Sequence, residues 1–159
     1  LMESALHIRS GAVISLHSVL GECGFLNNPP ALVTAVLPTS TSKRPRLGDV
    51  TTSTGKAFRF FGLAERFFPS SDEERRELLQ PGRHCEMFRP EAALLHWLHL
   101  ANMQRSALTM PPLDVDMEVL DIKLLRDLAA KCGLDHALEI WQSDVEQLTE
   151  TVLAEARPV

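Results

Sequence analysis

The sequence predicts an α+β fold. Three observations carry this: short apolar and β-branched segments crowd the first half, helical periodicity rules the second, and the two kinds do not alternate. A length of 159 residues suits a single domain with one core.

Residues 12–16, AVISL, are short and apolar, and residues 15–24 read as one compact helix. The Ser15 hydroxyl is placed to cap its first turn, and Gly24 tolerates the left-handed backbone that ends helices. Asn27, Asn28, Pro29 and Pro30 form a turn. Residues 31–38, ALVTAVLP, are too short for a good helix and make a buried strand, followed by a polar loop over 39–46. Residues 49–54 and 56–63 flank Gly55 as a β-hairpin, with Phe58 and Phe60 on one face and Arg59 on the other. Residues 70–82 form a short helix capped by Ser71, with Glu74 at the capping-box position, and residues 83–88 suit a last strand.

Pro90 opens a strong helix over 90–103. Leu94, Leu95, Trp97, Leu98 and Ala101 cover so much of its circumference that it belongs at the centre of the core. After a loop at 104–114, residues 121–133 form an amphipathic helix ending at glycine. The rest is helical to about 156, with a heptad seam at Leu134, Leu138, Trp141, Val145, Leu148 and Val152. Ser143 and Glu146 form a second capping box, where this helix is expected to break. The candidate partner helix is the stretch bearing Leu138, Trp141, Val145 and Leu148, whose seam allows a homodimer.

Charge divides the chain. Residues 1–80 carry a net +1 and residues 81–159 a net −6. Nucleic-acid binding usually needs a strongly basic face, so an acidic second half fits a basic protein partner better, with an ordinary solvated face as the commoner explanation. Lys43, Arg44 and Arg46 are the one basic cluster, a candidate nucleic-acid or partner contact. No apolar run approaches a membrane span, no secretory signal is expected, and the scattered Cys23, Cys85 and Cys132 suit a reduced cytoplasm.

Candidate chemistry is thin. His96 and His99 lie three apart and, with Ala92 and Met103, form the least apolar stripe of the core helix. Two histidines fall short of a metal site, and Cys85, His84 and Glu91 match no ligand spacing. The TSTGKA stretch at 52–57 lacks the first glycine of a phosphate loop, having Val50, and the hydroxyl after the lysine, having Ala57. Asp114, Asp116, Glu118, Asp121 and Lys123 allow a metal-dependent nuclease as an alternative, although Asp121 equally suits a helix start. No serine sits in a G-x-S-x-G elbow, and Cys23 and Cys132 near helix C-termini are expected to be unreactive. No catalytic, cofactor-binding or metal residue is assigned, and a non-enzyme is expected.

The order of these segments resembles the antitoxin domain of the AbiEi family of bacterial type IV toxin–antitoxin and abortive-infection systems. AVISLHSVLGECGFL, with Ser15, Ser18, Leu20 and Gly24, is similar to the family's strand, S-L-x-S-A-L helix and closing glycine. The apolar strand and hairpin follow in the family's order. FRPEAALLHWLHL is similar to its P-E-K-A-L-L-D helix through Pro90, Glu91, Ala93, Leu94 and Leu95, with Ala92 and His96 where the family often has Lys and Asp. Residues 113–133 resemble the acidic link and helix that come next, so the likeness spans about residues 10–140. It implies a protein that counteracts a nucleotidyltransferase toxin, with the motif residues in structural roles and no cofactor. Family members often place a DNA-binding winged helix-turn-helix ahead of this domain. Nucleic-acid contact by that route is expected only where such a domain is present.

Overall fold

The computed structural model describes residues 2–29, 31–40, 46–104 and 106–156. The order is α1 (Glu3–Ile8), β1 (Val13–Ile14), α2 (His17–Glu22), β2 (Val33–Thr39), β3 (Arg46–Thr51), β4 (Ala57–Ala64), α3 (Asp72–Leu78), α4 (Pro90–Ala101), α5 (Ile122–Cys132) and α6 (Asp135–Glu155). Single 3₁₀ turns lie at Glu65–Phe67 and Met117–Val119. Strands occupy the first half and long helices the second: the architecture is α+β.

The sheet runs β1-β2-β4-β3, with β2 parallel to β4 and the other pairs antiparallel. Alternation along β4 sends Phe58 and Phe60 to one face and Phe61 and Leu63 to the other. None of the four is more than 1% exposed, so both faces are covered there, as a parallel pair requires. Arg59 lies at the edge of that cover and pairs with Asp49, its neighbour across β3. The hairpin forms as expected, its turn closed by Thr52 donating to the Lys56 carbonyl and Gly55 to that of Thr52, with Gly55 at φ +81°. β3 starts earlier than expected, at Arg46, which still pairs with Phe61 across a bulge between Arg46 and Gly48, where Gly48 has φ +116°.

Sequence periodicity gave no sign of α1. It has six residues and no side-chain cap, too little to stand alone, and packing holds it. Ala5 is buried, and just beyond the helix Arg9 lies over the Phe60 ring while donating to the Leu47 carbonyl. Residues 83–88 do not form a full strand. Only Met87 bridges β1, through Ile14 donating to the Glu86 carbonyl and Phe88 to that of Ile14, before the chain turns into α4.

Local rules serve the other helices well. Gly24, at φ +87°, lets Phe25 and Leu26 both donate to the Leu20 carbonyl and close α2. Ser71 caps α3 by accepting from Glu74, whose carboxylate takes the amide and hydroxyl of Ser70. Pro90 begins α4, which is buried from Glu91 to Leu98. Gly133, at φ +71°, turns α5 into α6. We expect Gly133→Ala to cost about 1–2 kcal/mol, read as a lowered thermal midpoint, since a Cβ disfavours this backbone. An unchanged midpoint would mean the corner does not depend on the left-handed residue.

Two expectations for α6 need correction. It runs unbroken through Ser143, because Trp141 and Val145 are anchored on the same side of the helix and a break between them would release one. The seam is also not free for a partner. Leu138, Trp141 and Val145 are 1%, 1% and 7% exposed in the single chain, packed into its own core. Only beyond them does the helix outrun the core, with Leu148 36% and Val152 54% exposed. No helix among the described residues is long and apolar enough to cross a membrane.

Candidate functional site

Residues of the four sequence motifs meet around α4. Ser15 was expected to cap α2, but Leu16 takes the cap position without a side-chain bond. Ser15 instead continues the pairing of β1, its amide donating to the Thr34 carbonyl, and its hydroxyl bonds His96 Nδ1 at 2.8 Å. Thr34 Oγ1 donates to the Ser15 carbonyl at 2.6 Å and accepts from the Ser18 amide, while Ser18 Oγ accepts from the Thr34 amide. The rings of Phe88 and Phe67 stand edge-on to His96, with centroids 4.5 and 5.7 Å away. One turn earlier on α4, Glu91 Oε1 accepts from the Asp121 amide at 3.3 Å, tying the start of α4 to that of α5. Its second oxygen is buried without a partner among the described residues. Leu94 and Leu95 are buried beside it.

The Ser15–His96 pair is buried. Burial, with a smaller contribution from His99, pulls the His96 pKa down to about 3, so the imidazole is neutral at ordinary pH. A serine nucleophile needs its base oriented by a third group and room for a substrate. Ser15 is fully buried, and no carboxylate bonds His96 among the described residues. Leu16 holds a strained backbone (φ 61°, ψ −133°) at a sharp strand-to-helix turn, the kind that exposes the nucleophile in some hydrolases. Here that turn carries a fully buried leucine, so it organises the core.

A cavity of about 280 Å³ opens beside His96, floored by Phe67, Ala92 and Leu95. The cations at its rim are already engaged. Lys131 pairs with Glu77 at 2.8 Å, and Arg66 donates to the Cys132 carbonyl while lying over the Phe67 ring. His99 is half-buried against Phe67, its pKa lowered first by burial and then by Arg66. Burial likewise raises the Cys23 and Cys132 thiols, which disfavours their thiolate forms. Among the described residues no three His, Cys, Asp or Glu side chains are placed to hold a metal ion.

Two acids of the nuclease alternative serve the backbone. Asp116 accepts from the Glu118 amide at 3.0 Å and Asp121 from the Leu124 amide at 3.1 Å, each capping the turn that follows, while Lys123 is exposed. Asp121→Ala should therefore destabilise the fold by about 1 kcal/mol, the usual value of a lost cap, measured by urea unfolding. A variant of unchanged stability would free Asp121 for another role. Lys43 and Arg44 lie outside the described residues. Arg46 is in β3 rather than a loop and pairs with Asp49, which also holds Arg59.

Sequence reading missed one assembly. Arg75 and Arg76 of α3, Arg83 of the following turn and Arg89 before α4 line a single surface groove. Their density within 75–89 was a usable signal, masked by the acids interspersed with them. Set against models of protein families, curated proteins and solved structures, the chain matches none of them.

Proposed function

We propose that this chain is an AbiEi-like antitoxin domain that counteracts a nucleotidyltransferase toxin in the cytoplasm, through its surface and without catalysis. The observation that carries this reading is the interlocking of the motifs on which the resemblance rests. Ser15 joins the first to the α4 motif through His96, Thr34 joins it to the apolar strand, and Glu91 joins α4 to the link before α5. Four segments that resemble the family in order thus depend on one another in space. Ser15, Thr34 and Glu91 Oε1 each make a hydrogen bond at these junctions, a structural use consistent with a binding surface elsewhere. The nuclease alternative has no comparable support, since Asp116 and Asp121 hold helix turns.

Co-expression with the neighbouring toxin candidate tests the proposal. Relief of growth arrest relative to empty vector is expected. Continued arrest, with folded soluble chain present, would overturn it.

A further inference from the structure

We propose that the groove between α3, the 80–86 turn and the start of α4 binds a ligand carrying two or more adjacent phosphate groups. The groove, of about 520 Å³, is lined by Arg75, Arg76, Arg83 and Arg89, with His84 beside them and Glu86 as the one carboxylate among the described residues. That is a local excess of three positive charges before any contribution from His84, on a chain whose net charge is −5. Gathering like charges is unfavourable unless something offsets them.

The fold offsets only part. Arg75 pairs with Glu86, and Arg83 with Glu22 of α2 and with Gln80. Arg89 donates twice to the Arg76 carbonyl, a neutral partner that orients the guanidinium, and has no ion pair among the described residues. The Arg76 side chain makes no hydrogen bond or ion pair among the described residues. Two guanidinium groups without an ion-pair partner among the described residues therefore stand next to two more whose forks have donors to spare, since each carries five N–H groups. Hydrogen bonds already orient three of the four, which lowers the ordering cost of binding.

Planar forks of this kind suit phosphate oxygens. A lone carboxylate would meet one of these charges; linked phosphates meet several at once. Among the described residues the lining holds no Phe or Trp on which a base could stack and its donors are mostly arginine forks, so recognition runs mainly through the phosphates. A nucleoside triphosphate or the backbone of a nucleic-acid strand would supply the same chemistry. This inference does not depend on the antitoxin reading.

The test uses the full chain, titrated at low and at physiological salt with inorganic tripolyphosphate, ATP, citrate and a short fluorescein-labelled single-stranded oligonucleotide. Tripolyphosphate should bind, more weakly as salt rises. Arg76→Glu should weaken it by roughly tenfold or more, about the loss of one charged hydrogen bond. The Arg76 side chain makes no hydrogen bond or ion pair among the described residues, and its carbonyl, which holds Arg89, is unchanged by the substitution, so this variant should keep its circular dichroism spectrum; Arg89→Ala provides a second reading. Binding of ATP but not the oligonucleotide supports a nucleotide ligand, and binding of the oligonucleotide in competition with tripolyphosphate supports a nucleic-acid strand. No binding at low salt, equal binding of citrate, or affinity unchanged in Arg76→Glu would each overturn the proposal.

Discussion

Trp141→Ala is expected to cost about 3–5 kcal/mol of folding stability, a large share of what a domain of this size holds. The indole is 1% exposed and ties together parts of the chain far apart in sequence. Its ring lies 6.1 Å from that of Phe25, just past α2, and its Nε1 donates to the Pro111 carbonyl at 3.2 Å. Removing it opens a cavity where α6 meets the loop before α5. Trp141→Phe should cost less, about 1–2 kcal/mol, for the lost hydrogen bond and some contact area. Both are read from urea unfolding followed by circular dichroism. Protein concentration separates core from interface. A core residue gives a midpoint independent of concentration, whereas a dimer seam makes it rise with concentration. A small, concentration-dependent loss would return Leu138, Trp141 and Val145 to a dimer interface.

Acid should destabilise the fold well before the carboxylates protonate. Burial, then His99, lowers His96 to about 3; burial, then Arg59, lowers His17 to about 4, its Nδ1 having no partner among the described residues. Both stay neutral in the folded chain, while in the unfolded chain they titrate near 6.5. Above that pH neither state binds the proton and stability is at its full value. Below it the unfolded chain takes up protons the folded chain refuses, so stability falls until pH passes the folded values. Each histidine contributes about 1.4 kcal/mol per pH unit, so the loss between pH 6.5 and 4 is on the order of 5 kcal/mol. Below the usual carboxylate range Asp49, held low by Arg59, adds to the loss. Urea midpoints measured from pH 7.5 to 4 should follow this slope, and His96→Gln should roughly halve it. If that variant does not fold, His17→Gln serves the same purpose. A flat profile down to about pH 4.5 would show both rings titrating like exposed histidines.

Trp141 and His96 mark where sequence reading succeeded and where it stopped. Both were visible as members of helical stripes. Periodicity says that such a stripe is buried, not against what. The heptad steps of α6 are the same for a dimer seam and for a helix folded back on its own core, so spacing alone left both open for Leu138, although such a seam is more often core. His96 likewise read as part of the least apolar stripe on α4. Its bond to Ser15 joins residues 81 positions apart, and nothing local to either announces it.

By itself the sequence determined what short-range backbone chemistry decides. It placed the left-handed stops at Gly24 and Gly133, the Ser71 cap, the start of α4 at Pro90 and the hairpin at Gly55, since each satisfies its own amides and carbonyls within a few residues. Only the tertiary structure decided the rest. α1 exists because the sheet gives it a surface, and the parallel pairing of β2 with β4 depends on cover over both faces. Ser15 left its cap position for a buried imidazole, and four arginines converged because α3 and the start of α4 meet across one turn. Burial and charge convergence are sums over distant neighbours, so they have no value until the chain has closed on itself.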